Sequence, residues 1–140
     1  MRAIAPLFLI IAFLIPLYSA DKYAVVMNPN TKVKRLTKEQ IRALYLDRRH
    51  FIGDTKVILL NLPFEHKIRD SFEKRILQKS KDELQREWMI AHFHGHRPPK
   101  VVESTDAMAK YILKVKGAIG YMSIEEAQKS GLKIVYVWEP

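Results

Sequence analysis

The stretch Gly117-Ala118-Ile119-Gly120-Tyr121-Met122, followed directly by Ser123-Ile124-Glu125-Glu126, decides the fold. Its first part is apolar and bracketed by glycine, which predicts a buried strand. A serine followed three residues later by glutamate is a capping box, so a short helix is expected to begin after Ser123 and to end at Gly131. The stretch therefore predicts a strand that runs straight into a helix.

Three more strands are expected outside this stretch. Residues 23–27 form a short apolar run that ends at an Asn-Pro-Asn turn, and residues 133–138 are rich in β-branched and aromatic side chains. Residues 57–60 are apolar at every position, which predicts a strand covered on both faces. The short strands are separated by segments long enough for helices, an order typical of an α/β sheet.

Four more helices are indicated by apolar side chains that recur every three or four residues. The first begins at a Thr37 capping box with Ile41, Leu44 and Tyr45, the second carries Ile68, Phe72 and Ile76, the third begins at a Ser80 capping box with Leu84, Trp88 and Met89, and the fourth covers residues 104–115 with Met108, Tyr111 and Ile112. Residues 47–54 and 92–99 are expected to be loops. We predict one α/β domain with a mixed sheet of about four to five strands and helices on both faces.

Composition excludes several classes of protein. The 140 residues include 24 Lys+Arg and 15 Asp+Glu, for a net charge of +9, with 48% hydrophobic residues and no cysteine. The hydrophobic content excludes a disordered chain, and the missing cysteines exclude disulfides, thiolate zinc sites and a cysteine nucleophile. None of the common catalytic or nucleotide-binding motifs is present. We therefore expect neither an enzyme nor a cofactor.

Residues 1–20 have the organisation of a secretory signal peptide. Arg2 gives a basic start, residues 3–20 carry no charge, and Pro16 precedes a short Leu17-Tyr18-Ser19-Ala20 end. We expect cleavage near Ala20, which leaves residues 21–140 as the domain; the alternative is an uncleaved leader that anchors the protein in the membrane. An exported protein without cysteine is expected in a Gram-negative-type periplasm.

Three histidines, His92, His94 and His96, alternate along the chain. In an extended segment their side chains would share a face and could converge on a transition metal. The preceding helix is expected to run into His92, however, and a helical turn would separate His92 from His94. We therefore interpret the segment as a polar loop and assign no metal ligand, although metal binding by these histidines stays open.

Positive charge is concentrated in residues 31–50, where seven Lys or Arg accompany Glu39 and Asp47. Such a surface attracts anions in general. No aromatic side chains suited to stacking on bases are interleaved with these charges, so a nucleic-acid partner is not expected.

A more local anion site is suggested by His66, Lys67 and Arg69 at the start of the second helix. Free N–H groups and the positive end of the helix dipole favour an anion there, and arginine can hold an oxyanion with two hydrogen bonds. An ordinary basic helix is the alternative interpretation.

Several segments together resemble the phosphate-type substrate-binding proteins of ABC transporters, which belong to the type 2 periplasmic-binding-protein superfamily. The similar segments are Leu36-Thr37-Lys38-Glu39-Gln40-Ile41 with Tyr45-Leu46-Asp47-Arg48, then Arg69-Asp70-Ser71-Phe72, Pro98-Pro99 and Gly117-Ala118-Ile119-Gly120-Tyr121. The resemblance implies a periplasmic-binding-protein-like domain of a single lobe, since full-length members have two lobes with the solute between them.

The resemblance also implies a function. The family's Ser-Gly-Thr-Arg phosphate site corresponds to His66-Lys67-Ile68-Arg69, where only the arginine is kept. We expect a weak or partner-dependent site for a small anionic solute such as phosphate, with an ABC transporter or another envelope protein as partner. The alternative is an envelope interaction or scaffold protein that keeps the fold without a ligand.

Overall fold

The computed structural model describes residues 3 and 22–140, so the predicted leader lies almost entirely outside the described residues. The strands are β1 (Tyr23–Met27), β2 (Phe51–Ile52), β3 (Thr55–Lys56), β4 (Ile58–Asn61), β5 (Lys100–Val101), β6 (Ala118–Ser123) and β7 (Lys133–Trp138). The helices are α1 (Lys38–Tyr45), α2 (Lys67–Phe72), α3 (Lys81–Phe93), α4 (Thr105–Lys114) and α5 (Ile124–Lys129), with a π-helical turn at Glu73–Leu77. Within these ranges, every helix is too short or too polar to span a bilayer.

The main sheet has five strands in the order β5-β4-β6-β1-β7. β1 is antiparallel to both β6 and β7, whereas β4 is parallel to β5 and β6. The predicted mixed sheet is therefore confirmed. β2 and β3 form a separate two-stranded ribbon.

Two adjacent residues of β6 show that helices cover both faces of the sheet. A Cβ atom on Gly120 would lie 2.5 Å from Met108 Sδ of α4, so this close approach of helix and strand requires glycine. Tyr121 points to the opposite face, where its ring stacks on Phe72 of α2 with 4.2 Å between centroids. Helices on both faces, as predicted, are confirmed.

The predicted helix starts agree with the observed caps, with one difference. Thr37 and Ser80 form complete capping boxes with Gln40 and Glu83. Ser123 accepts a hydrogen bond from the Glu126 N–H, but its hydroxyl donates to the Glu126 carboxylate, so the reciprocal bond of a capping box is missing. The third capping box was therefore only half correct.

Residues 47–54 are not simply a loop. Phe51–Ile52 pairs with Thr55–Lys56 around a turn in which Gly53 has a φ of +59°, a conformation that favours glycine. The loop predicted at residues 92–99 begins later than expected, because α3 continues to Phe93.

One prediction of burial was wrong. β4 is not covered along its whole length: Ile58 is exposed, whereas Leu60 is fully buried. Met89 of α3 is 60% exposed. The helix faces the core through Leu84 and Ala91, and Met89 lies about 140° around the helix from Leu84.

Candidate functional site

A cavity of about 210 Å³ lies beside the carboxyl ends of β4 and β5. It is smaller than the roughly 300–1,000 Å³ of most drug-sized ligand sites, so it suits a small solute. Its walls come from α1, α2, the π-helical turn, α3 and the loops between them. The lining residues are Tyr45, Asn61, Phe64, Arg69, Glu73, Leu77, Lys81, Leu84, Gln85, Trp88, Pro98, Pro99 and Val101.

Arg69 lies in the wall of this cavity with only 15% of its side chain exposed. One terminal N–H of its guanidinium donates to the Leu62 carbonyl at 2.9 Å, and Nε donates to Glu73 Oε2 at 3.3 Å. The guanidinium carbon also lies 5.4 Å from the centre of the Phe64 ring. These contacts hold Arg69 in one orientation, and its second terminal nitrogen has no hydrogen-bond partner among the described residues.

Glu73 is the buried anion of the site, with 7% of its side chain exposed. It begins the π-helical turn, a distortion that often accompanies functional sites. Its Oε1 accepts a hydrogen bond from Lys81 Nζ at 3.0 Å, while its Oε2 accepts from Arg69. Because a buried carboxylate must be paired, these two cations satisfy both carboxylate oxygens of Glu73 and hold its side chain in place.

Lys81 links the site to its rim. Its ammonium group contacts Asp70 Oδ1 at 2.8 Å, donates to the Phe64 carbonyl at 3.0 Å, and lies 4.3 Å from the Phe64 ring centre. Burial acts to lower the pKa of Lys81, but the hydrogen bonds to Asp70 and Glu73 outweigh it and raise that pKa. Lys81 is therefore a permanent cation beside the cavity.

Two buried tyrosines support the floor of the site. The Tyr45 hydroxyl donates to the Leu60 carbonyl at 2.6 Å, and the Tyr121 hydroxyl accepts from the Leu62 N–H and contacts the Asn61 side chain. Burial raises the pKa of both phenols well above the ordinary value, so both stay neutral. These bonds position the Leu62 carbonyl that in turn holds Arg69.

The three residues predicted to bind an anion are not equally placed. Arg69 lines the cavity, whereas His66 and Lys67 lie outside its lining. His66 caps α2, and its Nδ1 accepts a hydrogen bond from the Ile68 N–H at 3.2 Å. Lys67 is exposed. Anion binding by these residues stays a prediction. Glu73 and Lys81 were not among the residues predicted to form the site.

The three alternating histidines are also separated in their contacts. His92 lies near the end of α3 and His94 caps it, and both are exposed. His96 is half-buried and contacts Asp47, which follows the C-cap of α1.

Comparison with known proteins gives matches in structure only. No protein-family model matches the sequence, and a search of curated proteins finds no relative. Three solved structures each match 82% of this chain. The first is an ABC-type phosphate transport receptor from Vibrio cholerae, with 23% sequence identity and a TM-score of 0.65. The second, from Clostridium perfringens, is described as a phosphate ABC transporter substrate-binding protein with bound phosphate and has 20% identity and a TM-score of 0.67. The third is PstS from Borrelia burgdorferi, with 18% identity and a TM-score of 0.64.

The matches cover only part of these larger proteins. The aligned region is 46%, 44% and 46% of their respective chains, so this chain spans less than half of their length. The resemblance inferred from the sequence is confirmed at the level of the fold. The chain therefore has the fold of part of these phosphate ABC-transporter substrate-binding proteins.

Proposed function

We propose that this protein is an exported, single-lobe solute-binding-like domain that binds a small oxyanion such as phosphate, weakly or with the help of a partner. The observation that supports the proposal is Arg69, held in the wall of a small cavity on a fold shared with phosphate-binding proteins. The solved structures that this chain resembles are transport receptors and substrate-binding proteins, which agrees with a binding role rather than an enzymatic one.

The contacts of Arg69 and Lys81 explain why binding is expected to be weak. Glu73 already accepts hydrogen bonds from both cations, so an incoming anion must compete with a carboxylate of the protein itself. The cavity is also open on one side, where an ABC transporter or another envelope protein could supply the missing wall. We expect a dissociation constant around millimolar, or about −4 kcal/mol.

Arg69→Ala is expected to abolish most of the phosphate binding. A charge-assisted hydrogen bond contributes roughly 1.5–3 kcal/mol, a large share of so weak an interaction. Arg35→Ala is the matched control, because it removes the same charge from an exposed position where salt screens it. Isothermal titration with phosphate and with sulfate at physiological salt, on variants whose circular dichroism is unchanged, measures both effects. Equal and small losses in the two variants would indicate diffuse charge instead of a site.

Export and cleavage form the second part of the proposal. We expect the protein recovered from producing cells to lack residues 1–20, because the basic start, apolar segment and Pro16 break are all present. The mass of the intact protein measures this directly. Loss of the leader removes Arg2 alone and leaves a net charge of +8. A cytoplasmic product that retains Met1 would contradict export.

The alternative function, a ligand-free envelope scaffold, is favoured by one different observation. α3 exposes the large apolar side chains Met89, Ile90 and Phe93, of which Phe93 is 82% exposed. Apolar side chains grouped in this way often mark contact surfaces. The phosphate titration separates the two functions: a folded protein with no saturable binding at Arg69 would leave the scaffold as the better explanation.

A further inference from the structure

Asp47, His50 and His96 bring three metal-ligating groups together outside the Arg69 cavity. One ligand atom of each lies within 4.8 Å of the other two. The Asp47 carboxylate contacts His96 Nδ1 through one oxygen and lies 3.7 Å from His50 Nε2 through the other. The two imidazole rings meet edge to face, with 5.0 Å between their centres.

The backbone positions each of these side chains independently. Asp47 follows α1 with a φ of +63°, a left-handed conformation that is uncommon for a residue other than glycine. The His50 carbonyl accepts a hydrogen bond from the Val57 N–H at 3.0 Å, and the His96 N–H donates to the Ala91 carbonyl at 2.9 Å. Strained backbone conformations of this kind are frequent at ligand sites. The groups are therefore held close to one another before any ligand arrives.

We propose that Asp47, His50 and His96 bind a divalent transition-metal ion of the zinc type. Two imidazole nitrogens and one carboxylate oxygen are ligands that zinc prefers, and a site with three protein ligands leaves a fourth position for water or an external ligand. With bonds of about 2.0–2.2 Å, neighbouring ligand atoms of a tetrahedral site lie roughly 3.3–3.6 Å apart. The 3.7 Å between His50 Nε2 and Asp47 Oδ1 is close to this spacing, and the half-exposed His50 ring has room to adjust. Asp47 and His96, which are in direct contact, must separate to admit the ion.

The surrounding charge does not prevent this binding. Arg48 and Arg49 lie between Asp47 and His50 in the sequence, but both are exposed, so solvent and salt screen their repulsion of a cation. Asp47 is the more buried ligand, with 17% of its side chain exposed, and supplies the negative charge next to the ion. If Asp47 and His96 formed only a structural hydrogen bond, His50 would not need to lie beside both of them. The position of His50 therefore favours a metal site over a simple hydrogen bond.

Zinc titration of the untagged protein, recovered from expressing cells and stripped with chelator, tests the proposal. We expect one saturable site per chain, and binding of Co²⁺ should produce visible absorption bands typical of nitrogen and oxygen ligands. His50→Ala and Asp47→Asn should each weaken zinc binding by about tenfold or more. His50 is exposed, and asparagine tolerates the left-handed conformation, so both variants should fold.

His94→Ala is the matched control, since His94 is an exposed histidine two residues from His96 that does not belong to the cluster. It should leave zinc affinity and the Co²⁺ spectrum unchanged. Thermal unfolding in chelator checks that each variant has the wild-type fold. Absence of a saturable site in the folded wild-type protein, or equal weakening by His94→Ala and His50→Ala, would overturn the proposal.

Discussion

Phe72→Ala is expected to lower the free energy of unfolding by about 3–5 kcal/mol, the usual cost of removing a buried aromatic ring. Phe72 is fully buried between α2 and the sheet. Its ring centre lies 4.8 Å from that of Tyr45 and 5.7 Å from that of Trp138, in addition to the stacked Tyr121. The substitution therefore opens a cavity that three rigid rings cannot fill.

Urea unfolding followed by circular dichroism measures the loss. Phe93→Ala is the matched control, because it makes the same chemical change at the exposed end of α3 and should alter stability by only about 0.5 kcal/mol or less. Similar losses at the two positions would mean that the aromatic cluster does not form the centre of the core.

Glu73→Gln is expected to have the opposite effect to Arg69→Ala on the proposed oxyanion site: tighter phosphate binding, by about tenfold, or about 1.4 kcal/mol. The substitution keeps the size of the side chain but removes the negative charge to which Arg69 and Lys81 are bonded. Two cations without their buried counterion attract an external anion in its place. The same change should destabilise the free protein by about 1–3 kcal/mol, and added phosphate should restore part of that loss.

Asp70→Asn gives the comparison for this result. Asp70 contacts the same Lys81 at 2.8 Å, but its side chain is half exposed, so removal of its charge should change phosphate affinity little. Titration and thermal unfolding of the two variants, with and without phosphate, separate a local effect from a change in net charge. Unchanged affinity in Glu73→Gln would argue against a site at Arg69.

The sheet and its helices were largely predictable because their signals are local. The apolar run at residues 23–27, the glycine-bracketed β6 and the serine and threonine caps depend only on neighbouring residues, and all are found in the structure. Predictions failed where burial depends on a distant partner. Ile58 is apolar but exposed, because other segments of the chain must cover the sheet face at each position, and no pattern within residues 57–60 indicates where they do.

The polar sites were harder to predict for the same reason. Glu73 was not among the residues predicted to form a site, but the structure buries it against Arg69 and Lys81. The alternation of His92, His94 and His96 suggested that these three side chains could share a site. In the structure, His96 instead lies beside Asp47 and His50, which are more than forty residues earlier in the sequence. The short separation of Asp47 and His50 in the sequence was a signal that could have indicated this cluster.

The strand order has a consequence for how the chain folds during its synthesis. Tyr23 of β1 is paired with Ser123 on one side and with Trp138 on the other, so β1 is enclosed by β6 and β7, which are synthesised long after it. Pairings between residues so distant in sequence form slowly, since a long loop must close before they contribute. The ribosome must therefore synthesise the chain through Ser123 before β1 can pair with β6, and through Trp138 before β1 can pair with β7. A chain cut short before Lys133 would leave one edge of β1 bare, and bare edges of this kind promote aggregation.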